Sequence, residues 1–204
     1  MQSTLRSSLG ALALLVGFGG ATNAQEDFKL LGAAEAPVEM TVYSDFECPA
    51  CRNFALAVTP ALVAEFIGTG FLRLRYVYFP LTTIHANAAA AAKAAQCAGE
   101  AGLFWAYHDY LFVRQPEWRG ETVPSSLWVV YAENLGLEKG EFARCFESKA
   151  ALEAVEANWL EAVSAGATGT PTVVLNGQSL AELGSYEDLR ARILEAIDAG
   201  RTGH

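Results

Sequence analysis

A strand pattern that ends at residue 79 and returns only near residue 171 constrains this chain most. Before the gap, VEMTVYSDF (38–46) alternates Val38, Met40 and Val42 with Glu39, Thr41 and Tyr43, the period-two signature of a strand. NFALAVTPALVAEFI (53–67) reads as a helix, with Phe54, Val58, Leu62 and Phe66 recurring every four residues. Pro60 should kink or split it, and Gly68 and Gly70 end it. FLRLRYVYF (71–79) is the second strand, stopped by Pro80. From His85 to about Ala165 the pattern is helical: an alanine-rich segment, an aromatic-rich one at 103–113, SSLWVVYAENLG with serines able to cap, a short GEFARCFESKA, and LEAVEANWLEAV with Leu152, Val155, Trp159 and Val163 on one face. Strands then resume in TPTVVLNGQSLA, where Asn176-Gly177 is a strong hairpin signal because both residues tolerate positive φ. A last helix opens with a capping-box pattern, Ser185 and Asp188, and buries Tyr186, Leu189, Ile193 and Ile197.

The order is strand, helix, strand, about 80 helical residues, hairpin, helix. That is an α/β chain in which the hairpin completes the sheet of the first two strands and the helical block is an insertion. The expected segments are 25–84 and 166–204 for the α/β domain and 85–165 for the inserted helical domain.

Residues 1–24 read differently. Arg6 is the only charge before Glu26, an apolar run LGALALLVGFGG (9–20) follows, and small residues precede Gln25. This is the pattern of a secretory signal peptide cleaved after Ala24, and the run is short for a membrane span. An uncleaved anchor is the alternative. The expected location is extracytoplasmic, in the periplasm or cell envelope. Without Arg6 the 14 basic residues become 13 against 23 acidic, so the net charge moves from −9 to −10. Nucleic acid as a partner is excluded on this charge, since phosphates need a basic face. Docking on an anionic membrane by charge is excluded likewise.

Export sets the redox compartment, and there disulfides persist. The cysteines are Cys48, Cys51, Cys97 and Cys145, and four cysteines allow three pairings. Cys48 with Cys51 and Cys97 with Cys145 is the natural choice. Cys48-Pro49-Ala50-Cys51 could hold a metal, form an inert staple, or exchange electrons. Zinc needs about four ligands, and neither the spacing of Cys97 and Cys145 nor His85, His108 and His204 supplies them, so no metal is expected. A bridge over so short a loop removes little chain entropy.

Redox chemistry fits better. The pair falls where a strand gives way to a helix, so Cys48 meets unpaired N–H groups that favour an anion. Pro49 suits the first helical position. Cys51, one turn in, should be shielded while Cys48 is exposed. Thr170-Pro171 at the opening of a later strand adds a second signal, since an X-Pro bond there can be cis.

YSDFECPACRNF, FPL followed by His85, CAGEAGLFWAYHDYLF and GTPTVVLNG together resemble the DsbA-like thiol:disulfide oxidoreductases, from about Phe28 to Ile197. The resemblance implies a thioredoxin-like fold, its central mixed sheet interrupted by an α-helical domain. It implies Cys48 as the exchanging sulfur, Cys51 as the resolving one, Pro171 facing the pair, and the Thr170 backbone pairing with a bound peptide. It supports a structural disulfide between Cys97 and Cys145, where a second relay or two buried thiols are the other readings. Ala50 departs from relatives that carry histidine or an aromatic residue there, and alanine adds nothing to a thiolate.

The expected reaction is disulfide formation in unfolded exported polypeptides with free cysteines, from a resting Cys48–Cys51 disulfide. Reoxidation would use a quinone-linked membrane partner, DsbB-like or vitamin K epoxide reductase (VKOR)-like, with no cofactor. A monomer is expected. The alternatives are an isomerase or reductase, or a peptide-binding chaperone module. Glu47 is expected to be solvated, Arg52 to lie on a solvated helix face, His108-Asp109 to be packing, and Trp105, Trp128 and Trp159 to be core.

Overall fold

The computed structural model describes residues 28–180 and 183–202; the expected export segment, its cleavage point and His204 lie outside them. Among the described residues five strands form one sheet: β1 (Leu30–Leu31), β2 (Val38–Ser44), β3 (Leu72–Tyr78), β4 (Thr172–Leu175) and β5 (Gln178–Leu180), in the order β1-β3-β2-β4-β5. β2 and β3 run parallel, from Val38 opposite Leu72 to Ser44 opposite Tyr78. The other pairings are antiparallel, so the sheet is mixed. A parallel pair needs a crossover, and α1 (Pro49–Ile67) supplies it.

Helices cover both faces of this sheet. Val38, Met40, Val42, Leu72 and Leu74 pack with Phe54, Leu62 and Phe66 of α1 and with Leu189, Ile193 and Ile197 of the final helix. Tyr43 and Val77 pack on the other side with Phe79, Ala162 and Ala167. The hairpin turn forms as its sequence requires, with φ of 46° at Asn176 and 79° at Gly177.

Pro60 neither breaks nor sharply ends α1. Its missing N–H removes one i to i−4 bond, and the helix widens into π-helical turns at Phe54–Val58 and Val63–Ile67. The Thr59 N–H, for instance, bonds to the Phe54 carbonyl.

Between β3 and β4 lie α2 (Ala88–Glu100), α3 (Phe104–Trp118), α4 (Ser126–Asn134), α5 (Lys139–Glu147) and α6 (Lys149–Ser164). α7 (Tyr186–Thr202) closes the chain. Buried alanines at 91, 92, 94, 95 and 98 let α2 approach a core built on Phe104, Tyr107, Leu111, Phe112, Trp118 and Trp128. The capping box forms, with the Ser185 N–H donating to Asp188 at 2.8 Å and the Asp188 N–H to Ser185 at 3.2 Å.

Four expectations need correction. The aromatic helix runs past residue 113 to Trp118, with Pro116 inside it. Ser125 precedes α4 without a side-chain capping bond. Trp159 is 40% exposed, because α6 buries the smaller Ala151, Val155 and Ala162 instead. Trp128 is core as expected, and Trp105 is half-buried.

Candidate active site

The chain leaves β2 at Ser44 and turns into α1 through Asp45–Glu47. Cys48 is the N-cap, extended at φ −75° and ψ 125°, and Pro49 takes the first helical position. The turn is closed by the Cys48 N–H donating to the Asp45 carbonyl at 3.1 Å. The first α-helical bond follows, from the Arg52 N–H to the Cys48 carbonyl, also at 3.1 Å. The Cys48 sulfur therefore sits over the open N–H groups of α1.

Facing it is the start of β4. The Thr170-Pro171 bond is cis, and the Cys48 thiol donates to the Thr170 carbonyl at 3.4 Å. The Thr170 hydroxyl is buried, makes no other hydrogen bond among the described residues, and acts on the same sulfur. Ala50, Asn53, Phe54, Val58, Pro171 and Tyr186 line a largely apolar groove alongside.

The two sulfurs divide sharply. A hydrogen bond from the Cys51 thiol, helped by Thr170 and by the N–H groups of Cys51 and Ala50, lowers Cys48 to about 5 against the opposing cost of burial. Burial, then the neighbouring Cys48 sulfur, pushes Cys51 well above the ordinary thiol range. Neither sulfur is bonded in this structure, so the pair is described here as two thiols. Cys48 is also more covered than expected, 7% exposed against 1% for Cys51. Asp45 caps the inner sulfur, its N–H directed at Cys51 Sγ over 3.5 Å.

Asp45 and Glu47, the acids flanking the pair, are both buried, which overturns the solvated reading of Glu47. Neither carboxylate is left bare. Asp45 accepts from the Glu47 N–H at 2.7 Å and the Leu81 N–H at 2.8 Å, and it pairs with His85 Nδ1 at 2.8 Å. Glu47 accepts from the Asn87 N–H at 2.7 Å, the Gly120 N–H at 2.8 Å and the Asn87 amide at 3.3 Å. These bonds satisfy charges whose burial would otherwise be costly. They also fasten the active-site turn to the helical block.

Two further residues fix the turn. Gln115 of α3 donates from one nitrogen to the Phe46 carbonyl at 2.7 Å and the Cys48 carbonyl at 3.0 Å. Arg52 is turned inward, its Nε donating to the Phe112 carbonyl at 2.9 Å. Phe112 is four residues before Pro116, which has no N–H for that carbonyl, so Arg52 supplies the donor the proline withholds. Gln115 carried a legible signal, a polar residue on the helix face shared by Phe104, Leu111 and Trp118. Arg52 carried none until α3 was known to continue past Pro116.

The remaining pair, Cys97 and Cys145, is a disulfide joining α2 to α5, with an S–S distance of 2.00 Å. Among the described residues no group of three or more His, Cys, Asp or Glu side chains is arranged to hold a metal.

Comparison with known proteins agrees with this geometry. A family model described as Thioredoxin matches residues 25–195. A Salinispora arenicola protein named Na(+)/H(+) antiporter NhaA 1 is 36% identical over 174 residues, covering 83% of this chain but 25% of that protein. The chain thus spans about a quarter of the length of the antiporter-named relatives it matches. A Bacillus anthracis protein named Probable disulfide bond formation protein D is 30% identical over 149 residues, 72% of this chain and 69% of that one. The structure of oxidised BdbD from Bacillus subtilis superposes with a TM-score of 0.76 at 22% identity, over 83% of this chain and 92% of that one.

Proposed function

This chain belongs to the thioredoxin family, in its DsbA-like branch, and on that premise we propose that it is a thiol:disulfide oxidoreductase working through Cys48 and Cys51. The observation that carries the reading is the placement of the two sulfurs, Cys48 at the N-cap of α1 against the Thr170 carbonyl and Cys51 buried behind it, which lowers the first thiol and raises the second. Cys48 is the better leaving group and the less buried sulfur, so exchange begins and ends there.

In the oxidising direction a substrate thiolate attacks Cys48 Sγ of the Cys48–Cys51 disulfide. The S–S bond breaks, its electron pair goes to Cys51, and Cys51 takes up a proton. A second substrate thiolate then attacks the substrate sulfur of the mixed disulfide, and Cys48 leaves as the stabilised thiolate. The substrate loses two electrons and the protein gains them. The turn around Asp45, Glu47 and Gln115 holds the N–H groups of α1 in place while charge builds on Cys48. Thr170 and cis Pro171 offer a backbone edge for an extended substrate segment, with Ala50, Phe54 and Tyr186 in the adjoining groove.

We read the substrates as unfolded exported polypeptides, the location as extracytoplasmic, and the partner that reoxidises the pair as a quinone-linked membrane protein. The depressed Cys48 favours net oxidation over isomerisation, because it stabilises the reduced form. Residues 85–165 serve as a helical insertion whose Cys97–Cys145 bridge is structural.

Replacing Cys51 by alanine tests the reading. The variant should accumulate mixed disulfides with exported proteins through Cys48, and Cys48→Ser should form none. Absence of trapped species under oxidising conditions would falsify the exchange mechanism.

A further inference from the structure

The exchange reaction leaves one requirement open: Cys51 is buried, and its proton must come and go each cycle. The acids nearest the pair do not meet that need. The carboxylate oxygens of Asp45 and Glu47 already accept from backbone N–H groups, Asn87 and His85.

A small cavity does reach Cys51. It is lined by Ser44, Cys51, Tyr76 and His108 together with apolar neighbours including Trp105. It offers about 10 Å³ to the centre of a water molecule, room for roughly one water. Its walls are polar where a water needs them. The Tyr76 hydroxyl is buried there with no hydrogen-bond partner among the described residues, and Ser44 stands beside both Tyr76 and Cys51.

His108 is the residue on that wall whose neutral side chain can accept a proton. Its ring is buried among Phe46, Tyr76, Phe104, Trp105 and Phe112. Nδ1 lies 2.8 Å from an oxygen of Asp109, whose side chain is 65% exposed. A carboxylate only accepts, so Nδ1 carries the proton and Nε2 is the acceptor. Asp109 in turn lines an outer pocket that shares Ala55, Thr59 and Trp105 with the inner cavity. The order from solvent inward is Asp109, His108, cavity, Cys51.

We propose that His108, oriented by Asp109, exchanges the Cys51 proton through a water seated in this cavity. The inference rests on the exchange reaction proposed above. When the Cys51 thiol attacks a disulfide between Cys48 and a bound thiol, the new S–S bond forms, the bound thiol leaves with the electron pair, and the Cys51 proton passes to Nε2. In the opposite direction the imidazolium returns it to the Cys51 sulfur as the Cys48–Cys51 bond breaks. Asp109 stabilises the imidazolium and links it to solvent. Against His108 lie Asp109 on its own helix and Tyr76 from β3, Cys51 from α1 lines the same cavity, and Cys51, Asp45 and Tyr78 act on Tyr76. Burial lowers His108 while Asp109 pulls it back up, which leaves a neutral imidazole at neutral pH.

The test uses the reduced protein and excess dithiobis(nitrobenzoate), with release of the coloured thiolate followed over time. Attack by Cys48 gives a first phase proportional to reagent, and attack by Cys51 on the mixed disulfide gives a second phase independent of it. In His108→Gln, which keeps a donor for Asp109 but cannot carry the proton, the second phase should slow about 100-fold, the scale of general acid–base catalysis. The low-pH inflection of that phase should vanish while the first phase holds. Asp109→Asn, an exposed change, should slow the second phase and shift its inflection. A second phase with an unaltered pH profile in the folded variants overturns the proposal, and if His108→Gln fails to fold, Asp109→Asn decides alone. Loss of the first phase in the wild-type protein would instead overturn the exchange reaction itself.

Discussion

The Cys48 sulfur lies 3.4 Å from the carbonyl oxygen of Thr170, a residue 122 positions away in sequence. The contact joins the start of α1 to the start of β4, and the buried Thr170 hydroxyl acts on the same sulfur. Thr170→Val keeps the shape and removes that donor. A charge-assisted hydrogen bond is worth about 1.5 kcal/mol, or about one pH unit. The thiolate of Cys48 should therefore titrate about one unit higher, with a fall in reduction potential of roughly 30 mV. An unmoved titration would show that the hydroxyl does not serve the sulfur.

The same sulfur makes the stability of the reduced protein depend on pH. Cys48 is lowered from 9.0 to about 5 in the folded chain, so between those values the unfolded chain binds more protons. Stability should rise with pH across that window, and the contribution should be lost as pH falls through about 5. Cys51, raised above 9.0, acts the other way at higher pH, where only the unfolded chain gives up its proton. Urea midpoints of the reduced protein minus those of the oxidised protein, taken against pH, should trace this rise and fall. A flat difference contradicts it.

Gln115 anchors two carbonyls of the active-site turn with one nitrogen. Gln115→Leu fills similar space but leaves both acceptors buried without that donor. The expected loss is about 2 kcal/mol of unfolding free energy, seen as a lower urea midpoint at unchanged slope. An unchanged midpoint would mean the turn is held by Asp45 and Glu47 alone.

The Cys97–Cys145 bridge closes a loop of 48 residues between α2 and α5. In the chain-entropy account such a closure stabilises by roughly 4 kcal/mol. Cys97→Ala/Cys145→Ala should lose about that much in equilibrium unfolding and still exchange disulfides through Cys48. Loss of exchange in a folded double variant would assign the bridge a redox role instead.

Much of this was legible because the signals are local. The alternation in 38–44, the proline after Cys48, the Asn176-Gly177 turn and the Ser185–Asp188 cap each act within a few residues, and each forms. The cis bond before Pro171 was inferred only by setting it beside the cysteine pair upstream. What the sequence hid depends on distant packing. Glu47 looks like a solvated acid until α2 and the turn after α3 bring Asn87 and Gly120 to it. Arg52 looks like a surface cation until Pro116 leaves a carbonyl open. Pro60 looked like a kink or a split, and the helix absorbed it by widening.

The most direct test of the account is the ultraviolet thiolate absorbance of the reduced protein followed from acid to alkaline pH, with Cys48→Ser alongside. The account predicts one thiolate appearing with a midpoint at about 5 and absent from the variant, with Cys51 ionising only above 9.0. A first thiolate that forms only near 9.0 would contradict it.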